Sequence, residues 1–348
     1  MKLLVILPVV CFLIVLNAAH VESKSRFMYQ MLVFGDSYAD TGNIPKSDLS
    51  PESRQWYSPY GGRRHPSGRL SNGKVQSDFI AMLLGRSEGP PTYRLRSRYV
   101  DMFGMNFAFS GSGVFEVPQK VPTLSEQVDY VEILIKEGAI KDWRLKDTVA
   151  LVAISGNDYV HIANMSSSNE TIALVGNVTT EIAKEVKRLQ DLGVPKILVN
   201  NLHPLGCTPR HSRPSNYARC DDRANMVASM HNKNLAEKLG SDHENVMLLD
   251  LNTAFSKLVQ PSPDAAKNPS DDNLAKTFTN KLRPSCESYD PKGYCGQEDE
   301  NDHPQYSLSD LDDDPFGNFY WDDVHPTHTG WYFVMMQMQE YIKDFLDI

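Results

Sequence analysis

The stretch "MLVFGDSYADTGN", residues 31–43, joins an apolar run directly to a polar turn. Four apolar residues, 31–34, are followed at once by Gly35, Asp36 and Ser37. An apolar run without alternation is typical of a strand buried on both faces of a parallel sheet. Ser37 would then stand at the carboxyl end of that strand, where it either caps a helix or presents its hydroxyl to a substrate.

The rest of the chain repeats this pattern of short apolar runs and longer amphipathic stretches. Four further runs of strand length cover residues 105–110, 148–155, 196–202 and 245–251. Helical patterns cover residues 123–138, 171–193, 216–240 and 328–348. This alternation predicts a three-layer α/β/α fold with a five-stranded parallel sheet, in one domain over residues 24–348. We expect the acidic, proline-containing region 261–318 to be a solvated loop, with a calcium site as the alternative.

The first 23 residues have the pattern of a secretory signal. Lys2 is followed by about fourteen apolar residues and then by small residues typical of a cleavage zone. Because a bilayer span needs about 20 apolar residues, we expect a secreted protein without integral membrane association.

The formal net charge of −9, without a basic stripe, argues against nucleic-acid partners. A mature chain of this length can bury its own core, which predicts a monomer.

Four cysteines remain after the signal segment, and in a secreted chain an even number indicates disulfides. Three connectivities exist, and short loops favour Cys207–Cys220 and Cys286–Cys295. Zinc is the alternative, although no Cys-x-x-Cys spacing occurs. Three glycosylation sequons begin at Asn164, Asn169 and Asn177.

Residues that can take part in catalysis follow three of the predicted strands and precede the last helix. Ser37 follows the first, Gly111 the second and Asn157 the third, while Asp322 and His325 lie three apart before the last helix. Taken singly, each has an ordinary structural explanation as a cap, a tight turn, an Asx turn or a loop histidine. Because reactive groups collect at the carboxyl ends of parallel strands, we expect them to meet.

Together these residues meet the requirements of serine catalysis. A serine hydroxyl needs a base, and the base needs a carboxylate that fixes its tautomer; His325 and Asp322 can supply them to Ser37. The N–H groups of Ser37 and Gly111 and the amide of Asn157 can stabilise an oxyanion. Asp323 is a rival to Asp322, and Gly113 is a rival to Gly111.

Several blocks of the sequence resemble the plant GDSL esterase/lipases of the SGNH-hydrolase superfamily. They are "VFGDSYADTGN" (33–43), "PSGRLSNGKVQSDFIA" (66–81), "NFAFSGSGV" (106–114), "SGNDY" (155–159) and "WDDVHPT" (321–327). Tyr38 replaces the leucine that names the family, Ser155 replaces a glycine, and Phe109 and Ser110 replace smaller residues. The resemblance implies the same triad of Ser37, Asp322 and His325, and the same oxyanion donors.

We therefore expect a serine esterase or lipase that acts on small-molecule or lipid esters. No metal and no organic cofactor are implied. The resemblance also implies an extracellular location, the apoplast or cell wall in a plant. Two alternatives stay open: an acyltransferase that passes the acyl group to an alcohol, and a catalytically silent binding or defence protein on the same scaffold.

Overall fold

The computed structural model describes residues 29–46, 53–60, 68–96, 102–115, 120–160, 168–240, 244–310 and 314–348. The predicted signal segment and Asn164 lie outside these ranges. The strands are β1 (Gln30–Gly35), β2 (Gly104–Asn106), β3 (Thr148–Ala153), β4 (Lys196–Asn200), β5 (Val246–Leu249), β6 (Asn280–Pro284), β7 (Cys286–Ser288), β8 (Tyr306–Leu308) and β9 (Asn318–Tyr320).

The α-helices are α1 (Gln76–Leu83), α2 (Leu124–Lys136), α3 (Asp142–Leu145), α4 (Ser168–Asp191), α5 (Pro209–Ser212), α6 (Asp222–Leu239), α7 (Leu251–Val259), α8 (Pro269–Ala275), α9 (His328–Met336) and α10 (Gln339–Leu346). Several begin at the caps that their sequences indicate. The Thr123 hydroxyl accepts the N–H of Glu126 at the start of α2, and Asp221 accepts the N–H of Ala224 at the start of α6.

The central sheet has five parallel strands in the order β2-β1-β3-β4-β5. Successive residues of β1 alternate between its two faces: Met31 and Val33 belong to one hydrophobic cluster, and Leu32 and Phe34 to the other. The first cluster contains side chains of α1, α7, α9 and α10, and the second contains side chains of α2, α4 and α6. Helices therefore cover both faces of the sheet, and the three-layer α/β/α prediction is confirmed. Continuously apolar strands require such cover.

The second strand is shorter than predicted and ends at Asn106. The Asn106 side chain accepts the N–H of Ala108 at 2.9 Å and donates to the carbonyl of Ala39 at 2.8 Å. This amide therefore holds the following loop against the turn after β1. Gly111, which was expected directly beyond the strand, lies in that loop.

The prediction of a solvated loop over residues 261–318 was wrong. That region contains α8 and three strands, β6 to β8. β6 pairs with β9, and β7 pairs with β8, so two small sheets flank the central one. Within the described ranges, no three His, Cys, Asp or Glu side chains are grouped to hold a metal ion.

The last helical pattern is also divided in the structure, into α9 and α10. The break falls where the N–H of Met338 bonds the carbonyl of Met335, three residues back, instead of four. Met335 and Met338 remain buried in the first cluster, so the break redirects the chain without exposing the apolar face.

Both disulfides have the predicted pairing, Cys207–Cys220 and Cys286–Cys295. Two of the sequon asparagines, Asn169 and Asn177, lie exposed on α4. None of the helices among the described residues has the length and apolarity needed to cross a bilayer.

Candidate active site

Ser37 lies two residues beyond β1, at the carboxyl end of the central sheet. Gly35 makes the turn possible, with φ at +129°. A Cβ at this position would lie only 2.1 Å from the carbonyl oxygen of Ala153 on β3. Glycine is required here because both the backbone conformation and the close approach of β3 exclude a side chain.

Asp36 ties the turn that carries Ser37 to the end of β3. Its carboxylate accepts the N–H and the hydroxyl of Ser155 at 2.6 and 2.7 Å, and the N–H of Tyr38 at 3.1 Å. Burial raises the pKa of Asp36 to about 6, although these hydrogen bonds act in the opposite direction. Ser155 therefore anchors Asp36 through both its backbone N–H and its hydroxyl.

His325 reaches Ser37 from the opposite end of the chain. Its Nε2 lies 2.7 Å from the Ser37 Oγ, across 288 residues of sequence. Its Nδ1 lies 2.8 Å from both carboxylate oxygens of Asp322. All three side chains are buried or nearly so. The sequence-predicted serine, histidine and aspartate are thus in direct contact, with the geometry that a general-base mechanism needs.

Asp322 and His325 belong to one turn. Asp322 Oδ1 accepts the backbone N–H of Val324 at 2.9 Å and that of His325 at 2.8 Å. The other oxygen, Oδ2, accepts the hydroxyl of Tyr60 at 2.6 Å and lies 3.7 Å from the guanidinium of Arg54. Each carboxylate oxygen is therefore held from a different side.

The charge on Asp322 is favoured despite its burial. Burial alone would raise the pKa of this carboxyl, but the adjacent His325, Arg54 and Tyr60 lower it well below its usual range. Burial also raises the pKa of Tyr60, to well above 10.0, with the neighbouring Asp322 acting in the same direction. The phenol consequently stays protonated and acts as a donor.

Asp323, the rival carboxylate, points elsewhere. It pairs with Arg210, whose Nε and Nη2 lie 2.9 and 2.7 Å from its Oδ2. The carbonyl of Asp323 also accepts the N–H of Arg210 at 2.8 Å. Asp323 thus attaches the turn that carries Asp322 and His325 to α5, and its hydrogen bonds go to Arg210 rather than to the imidazole.

The three oxyanion candidates line the same cavity as Ser37 and His325. The backbone N–H groups of Ser37 and Gly111 donate to no acceptor among the described residues. The amide of Asn157 already donates to the carbonyl of Ser112 at 2.8 Å. Gly113, the rival of Gly111, lies outside this cavity and packs against the Asp158 carboxylate.

This cavity has a volume of about 510 Å³, which suits a small-molecule ester. Apolar side chains and cationic side chains both contribute to its walls. The apolar group is Leu70, Tyr159, Val160, Leu205, Ala224, Val227 and Val324; the cationic group is Arg54, Arg210 and Lys292.

Three residues of the site region carried no signal in the sequence. Tyr60 and Arg54 come from the short segment 53–60, and His203 follows β4. The His203 Nε2 lies 3.0 Å from the Tyr38 hydroxyl, and its ring stacks on Tyr38 and Phe255. Burial lowers the pKa of His203 to about 3, so it is neutral and acts in packing rather than in proton transfer.

Comparison with known proteins identifies the class. The family model for GDSL-like lipase/acylhydrolase proteins matches residues 31–337. The chain therefore belongs to the GDSL lipase/acylhydrolase family, and it is a serine hydrolase of carboxylic esters.

Individual relatives agree with this class. GDSL esterase/lipase At5g03610 of Arabidopsis thaliana is 33% identical, with 93% of this chain and 91% of that protein covered. GDSL esterase/lipase At3g09930 of the same plant is 32% identical, with the same coverage. Among solved structures, the acetyl xylan esterase AlAXEase aligns over 90% of this chain and 99% of its own, at 13% identity and a TM-score of 0.38.

Proposed function

We propose that this chain cleaves carboxylic esters through an acyl-enzyme on Ser37, with His325 as the base and Asp322 as its orienting partner. The observation that carries the proposal is the contact chain itself, at 2.7 Å from serine to imidazole and 2.8 Å from imidazole to carboxylate. In the first step the Ser37 Oγ attacks the ester carbonyl carbon, and its proton passes to the Nε2 of His325.

The negative charge then develops on the carbonyl oxygen. We assign its stabilisation to the N–H groups of Ser37 and Gly111, whose donors are not used by the described residues, and to the amide of Asn157. When the tetrahedral intermediate collapses, the alcohol leaves with the proton from His325. Water, deprotonated by the same histidine, then releases the acid and restores Ser37.

Secretion is part of the same proposal. The signal-like residues 1–23 and the two disulfides support it, because disulfides persist in oxidising compartments. For a plant protein the location would be the apoplast or the cell wall. Peptide sequencing of the amino terminus of protein recovered from culture medium tests this point directly.

The experiment compares the secreted protein with its Ser37→Ala variant. Both are incubated with p-nitrophenyl esters of increasing acyl length, with and without an added alcohol, and free acid and new ester are both counted. We expect serine-dependent acid release, reduced by at least about 10³-fold in the variant. New ester that forms faster than acid would make the chain an acyltransferase instead.

A fluorophosphonate probe supplies a test that does not depend on the choice of ester. The folded wild type should be labelled covalently at Ser37, and the alanine variant should not. A folded protein that neither hydrolyses esters nor reacts with the probe would contradict the proposal and favour a silent binding scaffold.

A further inference from the structure

The segment that contains Arg54 and Tyr60 contacts the triad although it lies more than 250 residues before Asp322 in the chain. It begins with a short 3-10 helix, Ser53–Trp56. The hydroxyl of Tyr60 reaches the Oδ2 of Asp322 at 2.6 Å, and the Nη2 of Arg54 lies 3.7 Å from the same oxygen. Both contacts are with the carboxylate oxygen that makes no backbone hydrogen bond.

The position of the Tyr60 hydroxyl is fixed by packing. Tyr60 is only 1% exposed and forms a small cluster with Leu70, Trp321 and the Cys286–Cys295 disulfide. Its ring meets that of Trp321 edge to face, at a centroid distance of 6.2 Å. Since Trp321 directly precedes Asp322, one cluster holds both the donor and the backbone that carries the acceptor.

The position of the Arg54 guanidinium is fixed as well. It lies over the rings of Tyr60 and Tyr294, at 5.5 and 5.2 Å from their centroids, and the side chain is 13% exposed. A cation held between two aromatic faces keeps its charge close to the carboxylate.

We propose that Tyr60 and Arg54 are positioning residues of the catalytic base: they fix the carboxylate plane of Asp322 and thereby the orientation of His325. The inference rests on the proposed function, because it assigns these residues a role in the same triad. Backbone N–H groups hold only Oδ1 of Asp322, and Oδ2 otherwise contacts only the imidazole that has to be oriented, so a second contact from elsewhere is needed to stop the carboxylate rotating about its Cβ–Cγ bond. Tyr60 supplies that second contact, and Arg54 balances the charge.

The test uses Tyr60→Phe, which keeps the ring in its cluster and removes only the hydroxyl. We expect kcat to fall about tenfold, the value of one hydrogen bond to a charged group, with KM changed less than twofold. Tyr57→Phe is the matched control: this half-exposed tyrosine of the same segment donates to the carbonyl of Lys46 and not to the triad. Its kcat should stay within twofold of wild type.

The pH–rate profile separates positioning from folding. Removal of a donor or of a positive charge beside Asp322 makes the carboxylate–imidazole pair more basic. The acidic limb of the kcat/KM profile should therefore move to higher pH in Tyr60→Phe and in Arg54→Met, while Arg54→Lys should return it toward the wild-type position. A merely structural role would lower the amount of folded enzyme and leave the limb in place.

Proton NMR of the resting protein gives a readout that needs no turnover. The imidazole N–H that faces Asp322 should give a downfield proton signal, and this signal should be absent in Asp322→Asn. The titration midpoint of the signal should move in Tyr60→Phe but not in Tyr57→Phe. An unchanged midpoint together with an unchanged kcat would overturn the inference while leaving the serine mechanism intact. Loss of the ester and probe reactions in the wild type would instead contradict the proposed function, and the NMR comparison would still decide whether Tyr60 orients the pair.

Discussion

The two halves of the proposed triad meet at 2.7 Å but are held by different parts of the molecule. Ser37 lies two residues beyond β1, and the side chains of β1 pack into both large hydrophobic clusters. His325 and Asp322 lie on a turn that is held by the small sheets, the Cys286–Cys295 disulfide and Tyr60. The serine is therefore placed by the central sheet, whereas the turn with His325 depends on the small sheets and the disulfide as well as on the core.

The buried carboxylates of the two halves differ in the same way. Asp36, beside the nucleophile, accepts hydrogen bonds mainly from neutral donors, and burial raises its pKa to about 6. Asp322, beside the base, has charged neighbours that lower its pKa despite burial. Burial therefore favours the neutral form of Asp36, whereas the neighbours of Asp322 favour its anion.

The largest expected effect separates Asp322 from its neighbour. Asp322→Asn should lower kcat by about 10³- to 10⁴-fold, because the amide favours the wrong imidazole tautomer. Asp323→Asn, which only weakens the pair with Arg210, should change kcat less than about threefold, the range of a surface ion pair. Steady-state kinetics on one ester measures both, and equal losses would contradict the assignment of the orienting carboxylate.

The nucleophile half can be broken through Gly35. Gly35→Ala places a Cβ 2.1 Å from the Ala153 carbonyl at a φ of +129°, and should lower the free energy of unfolding by about 4 kcal/mol or prevent folding. Gly85→Ala is the control, since Gly85 also has a positive φ but no atom lies within 4 Å of the added Cβ. It should cost about 1 kcal/mol in denaturant unfolding. A similar cost for both would show that β3 yields to the side chain.

The base half can be loosened through its disulfide. Replacement of Cys286 and Cys295 by alanine should lower the free energy of unfolding by about 3 kcal/mol. It should also lower kcat several-fold, because Tyr60 packs against this bridge. Replacement of Cys207 and Cys220 should cost similar stability, with kcat largely retained. Equal kcat losses in the two double variants would contradict the idea that the Cys286–Cys295 bridge positions His325 through Tyr60.

The smallest expected effect is on the pH dependence of the free energy of unfolding. The folded state binds the Asp36 proton more tightly than the unfolded chain does, so this group lowers stability as pH rises, by about 2 kcal/mol between pH 4 and 6. Burial lowers the pKa values of His203 and His231 to about 3. These two groups therefore lower the free energy of unfolding as pH falls below 6.5, which is the opposite of the effect of Asp36. The difference between wild type and Asp36→Asn isolates the aspartate, and a pH-independent difference would contradict its raised pKa.

The central sheet and the residues brought together at its edge were predictable from sequence because their signals are local. Each long strand is a continuous apolar run, and Ser37, Asn157 and Asp322 lie within recognisable blocks. β7 and β8 were missed because strands of three residues carry no period, and the loop between the two paired strands has no recognisable hairpin turn. Tyr60 and Arg54 were missed for a similar reason, since a single tertiary contact across a long sequence separation leaves no pattern in either segment.

The separation of Ser37 from His325 also bears on how the protein is made. Because the two side chains are 288 residues apart, their contact cannot form until a growing chain has added the whole intervening sequence. Nascent chains would carry the serine through the synthesis of those 288 residues without a base to activate it. Hydrolytic activity would begin only when the turn with His325 has docked, so that premature termination products stay inert toward cellular esters.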